Sequence, residues 1–140
     1  MENIKNINRY ITGMSALNIS GADWHLQGVI EADNWSVSGA DYANTSDLFG
    51  LSGLYDCSVF FKSIGKNIES VKCASPARAI ADMLYQNIFI LKHYPDHIIF
   101  SDYLLEDKDI EEFIKYFYIL LETADKEESI MLLRWKNAFM

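Results

Sequence analysis

Residues 71–85 read VKCASPARAIADMLY, and this stretch decides the fold. An apolar and β-branched run ends at Ser75-Pro76, and a helical pattern begins at once. Ser75 suits an N-cap, because its hydroxyl can accept from an amide that has no partner inside the helix. Pro76 suits the first helical position, where a missing N–H costs nothing. Ile80, Met83, Leu84, Ile88 and Leu91 form one apolar stripe, and Arg78, Asp82, Tyr85 and Phe89 form a second on another face. A helix with two such faces is predicted to be central and packed on both sides, and Pro95 is predicted to end it.

The prediction extends outward from this junction. Residues 68–74 read as a strand that pairs with a strand over 54–64, with Gly65-Lys66-Asn67 as the turn of a hairpin. Residues 33–53 are rich in Ser, Asn, Asp and Gly, which predicts loops and short strands. Residues 24–31 predict a short strand bulged at Gly28. Ile4, Ile7, Ile11, Met14 and Leu17 predict an amphipathic helix over 3–18, with Gly13 in its interior. Beyond Pro95, a helix starting at Asp107 or Asp109 carries Ile110, Phe113, Ile114, Phe117, Leu120 and Leu121, and a last helix spans 127–139. The expected fold class is α+β, a small, mostly antiparallel sheet flanked by about four helices, in one domain over residues 1–140.

Composition narrows the function classes. The chain has 140 residues, of which 50% are hydrophobic and 14% aromatic, ample for a core. Net charge is -8. Between Arg9 and Lys62 there are six acids and no Lys or Arg, and residues 102–128 hold ten acids against three lysines. Phosphate binding needs clustered Lys or Arg, so direct nucleic-acid binding is not expected. Acidic faces are ordinarily solvated surface; their functional use would be a basic protein partner. Cys57 and Cys73 have no CxxC spacing and suit small buried hydrophobes in a reducing compartment. The start MENIKNINRYITG has neither the basic region nor the apolar core of a signal peptide, and no apolar run reaches membrane-spanning length, so a cytoplasmic protein is expected.

Few residues suggest chemistry. On a strand, Asp23 and His25 face one side about 7 Å apart, where a carboxylate could orient or charge an imidazole for general-base work. No nucleophile elbow accompanies them, and an Asp and a His at a polar strand end is the ordinary structural alternative. His93 and His97 have the i,i+4 spacing of metal ligands on one helix, but Pro95 lies between them, and Asp96 or Cys73 would have to complete the set. No metal or cofactor is expected. Gly65-Lys66 lacks the rest of a phosphate loop. The aromatic stripe from Phe113 to Phe117 reads as core, or otherwise as a partner interface. Arg78 and Asp82 are four apart with Arg first, the weaker order for a helical ion pair. In a buried helix they would instead tie strand ends or loops to it.

Ser75, Pro76, Arg78, Ala79 and Asp82, with apolar Ile80, Met83 and Leu84, resemble a recurrent segment in the effector domain of AbiEi-like antitoxins of abortive-infection toxin–antitoxin systems. Those chains often carry a strand, a Ser-Pro-Glu-Arg-Ala-like turn and Leu-x-Asp-like helical residues. Ala77 departs, since an acid is common there. RYITGMSALNISG is similar to a second segment of that family through Tyr10, Ile11, Gly13, Ser15, Ala16, Leu17 and Gly21. The likeness touches both ends of residues 9–91. It does not extend to the winged-helix DNA-binding domain with which such antitoxins usually begin, so operator binding is not implied.

The resemblance implies a non-enzymatic domain that restrains a cognate nucleotidyltransferase-type toxin. Arg78, Asp82 and Tyr85 would be its family-motif or partner-contact residues. The composition also allows a plain acidic interaction module, or a homo-oligomer formed through the C-terminal helices. The alternative from another class is a small hydrolase or transferase using Asp23 and His25.

Overall fold

The computed structural model describes residues 10–13, 16–17, 45–63, 65, 72–96, 98–99, 101, 104 and 106–140. Their order is α1 (Ser46–Phe49), β1 (Leu54–Asp56), α2 (Ser58–Ser63), β2 (Lys72–Ala74), α3 (Pro76–Tyr85) with a π-helical extension (Gln86–Ile90), α4 (Asp107–Thr123) and α5 (Lys126–Phe139). The fold is α+β, and its two-stranded sheet is antiparallel.

The junction at Ser75 forms for the reasons its residues give. Ser75 is extended (φ -61, ψ 163), its Oγ accepts from the Arg78 N–H at 3.2 Å, and Pro76 opens the helix. Every residue from Ala77 through Leu84 is buried, so α3 is the central helix. It packs chiefly on α4 and touches β2. Each Ile or Leu enclosed this way contributes roughly 1.5–3 kcal/mol. The helix ends before Pro95. Its last turns widen into π-helix, with the Leu91 N–H donating to the Gln86 carbonyl at 3.0 Å. The Asn87 side-chain amide donates to the Met83 carbonyl at 2.8 Å. Leu91, expected on the core stripe, lies past this widened turn and is 59% exposed.

Two expectations about strands and helices are corrected. The first concerns the helix over 3–18. Ile11 instead forms a parallel bridge to Cys73, its N–H donating to the Lys72 carbonyl at 3.0 Å while its carbonyl accepts from Ala74 at 2.8 Å. Backbone pairing with β2 wins there over the apolar periodicity, and the helical residues described come after it, at Gly13, Ala16 and Leu17. The second concerns the strand over 54–64. It stops at Asp56, whose carboxylate accepts from the Ser58 N–H at 2.9 Å and turns the chain into α2. The partners of the expected hairpin do pair, in the register Leu54↔Ala74, Tyr55↔Cys73 and Asp56↔Lys72, but a helix intervenes. Gly65 sits in a turn at φ 82, as a turn glycine would. Within 33–53 the described part begins at Thr45 and includes the short helix α1. The strand predicted over 24–31 lies outside the described residues.

The C-terminal half is a helical hairpin. Asp107 and Asp109 occupy the first turn of α4, where the helix dipole favours acids. Asp125 and Glu128 form the reciprocal capping box that starts α5. Each side chain accepts from the other residue's backbone N–H at 2.8 Å. Trp135 of α5 is fully buried between Phe113 and Phe117 of α4, with ring centroids 5.7 and 6.3 Å away. Its indole N–H donates to the Ile98 carbonyl at 2.9 Å, so the polar edge is satisfied as well. The six apolar positions expected on α4 divide: Phe113, Phe117 and Leu120 are buried, Ile110 and Leu121 are half-buried, and Ile114 is exposed.

Candidate functional site

The densest polar constellation among the described residues surrounds Arg78 and Asp82, on the face of α3 turned toward residues 10–12 and 45–53. The bridge at Ile11 makes residues 10–12 extended, so Tyr10 and Thr12 project to one side, two residues apart. Both reach Asp82: Tyr10 and Thr12 donate to Oδ2 at 2.8 and 2.7 Å. Thr45, just before α1, donates to Oδ1 at 2.6 Å. Arg78 Nε completes the carboxylate's set at 3.3 Å.

The guanidinium is used completely. An arginine has five N–H donors. Nε goes to Asp82, one terminal nitrogen goes to the Gly50 and Ser52 carbonyls (3.1 and 2.6 Å), and the other goes to the Tyr10 and Thr45 hydroxyl oxygens (3.3 and 3.0 Å). The Tyr10 and Phe49 rings lie against it, each with its centroid 5.1 Å from Cζ. Exposure is 0% for Arg78 and 1% for Asp82. Burial pushes the Asp82 carboxyl above its usual range, opposed first by Arg78 and then by the bonds from Thr45, Thr12 and Tyr10. Burial, with Asp82 close by, also pushes the Tyr10 hydroxyl up to about 12.

A second cluster extends this one toward α4. Ser75 and Tyr116 both donate to Glu112 Oε2, at 2.7 and 2.6 Å, and the Ser52 hydroxyl lies 2.9 Å from that of Tyr116. Gly53 is wedged among them at φ 75; a Cβ there would meet Tyr116 OH at 2.5 Å, Glu112 Oε2 at 2.7 Å and Arg78 Cβ at 2.9 Å. Its carbonyl accepts from the Ser75 N–H at 2.6 Å. Burial, reinforced by Glu112, raises the Tyr116 hydroxyl as well.

Arg78 and Asp82, both enclosed, position backbone. The pair ties α3 to the turn at 50–53, to residue 45 and to the strand-like segment at 10–12. Tyr85 lies apart from it, half-buried and stacked on Phe89 at 4.9 Å. Asp23 and His25 lie outside the described residues. So does His97, while His93 is exposed and Cys73 is wholly buried in β2. Among the described residues, no group of three or more His, Cys, Asp or Glu converges as a metal site. Both cysteines are buried. The hydrogen bond they share lowers the Cys57 thiol and, with burial, raises that of Cys73.

Several members of the constellation have no local signal in the sequence. Thr12, Thr45, Glu112 and Tyr116 each have a partner 33 to 70 residues away in the chain. The useful hint was an Arg and an Asp on the predicted apolar helix, since buried charges must find partners. Fold and site together define a small α+β domain whose strand-to-helix junction is locked by an enclosed ion pair. No family model, curated protein or solved structure matches the chain. Among the described residues no helix is long and apolar enough to cross a membrane.

Proposed function

We propose that the chain is a cytoplasmic, non-enzymatic antitoxin-like domain that acts by binding a basic protein partner, in the manner the AbiEi-like resemblance implies. The observation that carries this reading is the saturation of Arg78: five donors meet five acceptors inside the protein, leaving none for a substrate or partner. The charged pair of the motif is then scaffold, and contact falls to the surface that the scaffold supports.

That surface begins on the segment the pair holds. Asp47, Leu51, Tyr55, Asp56 and Val59 are exposed in succession along α1, β1 and α2, and no Lys or Arg occurs from Thr45 through Phe61. Lys62 and Lys72 lie near Asp56, yet exposed apolar side chains among acids fit a basic protein surface better than nucleic acid. The cognate partner would be a nucleotidyltransferase-type toxin encoded beside it.

Co-expression with the product of the adjacent reading frame tests this. Growth rescue together with co-purification is expected. A neighbour that neither binds the chain nor becomes less toxic in its presence overturns the reading.

A further inference from the structure

Two thiols meet at the junction of β1 and α2. Cys73 is the middle residue of β2, and its backbone is flanked on both sides, by Ile11 through the parallel bridge and by its register partner Tyr55. Side chains alternate along a strand, so Tyr55 and Cys73 share one face of the ladder, and Cys57, two residues past Tyr55, returns to that face. Cys57 stands between the end of β1 and the start of α2, where the Asp56 carboxylate captures the Ser58 N–H and turns the chain. There the Cys57 and Cys73 thiols share a hydrogen bond, and the Tyr55 hydroxyl bonds to Cys73 as a third member.

The two sulfurs are not equivalent. Cys73 is 0% exposed, whereas Cys57 is 3% exposed and lies between exposed Asp56 and half-buried Ser58. Their shared hydrogen bond lowers the Cys57 thiol against its own burial and the Asp56 charge, and Lys72 assists. The same bond, with burial, raises Cys73. Thiolate character and access decide which sulfur an oxidant meets first, and both favour Cys57. Cys73 is then the second sulfur, already in contact with the first.

We propose that Cys57 and Cys73 are a redox-modification site that a peroxide converts reversibly to an intramolecular disulfide, with Cys57 attacking and Cys73 resolving. The Cys57 thiolate attacks one peroxide oxygen and the O–O bond breaks. This leaves a sulfenic acid on Cys57 and a hydroxide that takes up the proton Cys57 lost, giving water. The Cys73 sulfur then attacks the Cys57 sulfur. The S–S bond forms, the S–O bond breaks, and the departing hydroxide leaves as a second water with the Cys73 proton. Two thiols have lost two electrons to one peroxide. Cys73 is held by its strand, so closing the sulfurs to about 2.05 Å falls to Cys57, which belongs to neither β1 nor α2. The bond ties the start of α2 to β2. Thiols that are reduced at rest and oxidised transiently also suit a reducing compartment. Asp56 and Val59 flank Cys57 within the surface proposed for the partner, but the disulfide forms in the isolated chain and does not depend on that reading.

Intact-mass spectrometry of the full chain, reduced and then treated with hydrogen peroxide while folded, tests it. A loss of two hydrogen masses is expected, with a Cys57–Cys73 linked peptide in the digest and full reversal by dithiothreitol. Two variants separate the roles. Cys73→Ser should stop at the Cys57 sulfenic acid, which dimedone captures. Cys57→Ser should give at least about tenfold less capture, because the remaining thiol is enclosed. Should a serine variant fail to fold by circular dichroism, the linked peptide from the unsubstituted chain decides alone. Thiols that stay reduced in the folded chain overturn the proposal. So does a disulfide that joins two chains, or a Cys57→Ser variant captured as readily as Cys73→Ser.

Discussion

Replacing Asp82 with Asn removes one charge from a pair that has no access to water. Arg78 then keeps a buried positive charge whose remaining acceptors are two carbonyls and two hydroxyls. The Tyr10 and Thr12 hydroxyls, which donate to Oδ2, lose a charged acceptor as well. Breaking one side of a buried ion pair costs about 3–5 kcal/mol. A domain this size has roughly 5–15 kcal/mol in total. Urea unfolding followed by circular dichroism should therefore show a loss of about 3–5 kcal/mol, and the melting temperature should fall by about 10–15 °C. Arg78→Met should cost a similar amount by orphaning the carboxylate and the Gly50 and Ser52 carbonyls. The informative chain is the double variant Arg78→Met with Asp82→Leu. It leaves no unpaired charge, so it should be more stable than either single variant. An Asp82→Asn loss below about 0.5 kcal/mol, or a double variant whose loss equals the sum of the singles, would refute the reading of a closed, saturated pair.

Three further outcomes follow from the same geometry. Gly53→Ala adds left-handed backbone strain to collisions with Tyr116 and Glu112, whereas a Cβ at Gly65 meets nothing within 4 Å among the described residues. Paired denaturation curves should show a loss of about 2–4 kcal/mol for Gly53→Ala and only the backbone part, about 1–2 kcal/mol, for Gly65→Ala. Tyr10 has a folded-state pKa raised from 10.0 to about 12, so its contribution is complete below pH 10 and is lost as pH rises through about 12. Alkaline unfolding curves should fall across that window, and less steeply in Tyr10→Phe. Asp125→Ala removes the capping box that starts α5. It should cost about 1 kcal/mol in a thermal melt.

Local chemistry made part of the fold legible. The Ser75 cap, the Pro76 start and the buried stripe of α3 follow from residues within a few positions of one another. So do the acids opening α4. The failures share a cause. Ile11 fits a helical period and still lies in a strand-like bridge, because β2 needed a second backbone partner that no local pattern reveals. Val59 extends a β-branched run and still lies in a helix, because an Asp56 side chain captured the Ser58 amide. The site divides in the same way. Arg78 and Asp82 stood out as charges on an apolar helix, but Thr12, Thr45, Glu112 and Tyr116 are ordinary polar residues until the fold brings them together. Ile114 had the opposite fate: expected on the core stripe of α4, it is 37% exposed.

If the Arg78–Asp82 pair is scaffold, partner contact lies on the surface around residues 47–59. A growth-rescue assay against the co-expressed adjacent gene product separates the two. Two variants are compared at matched soluble levels: the core exchange Arg78→Met with Asp82→Leu, and the surface exchange Leu51→Lys with Val59→Lys. The core variant should still rescue, and the surface variant should not. Rescue lost with the core pair and retained with the surface exchange would mean that the pair itself, and not the surface it supports, carries the function.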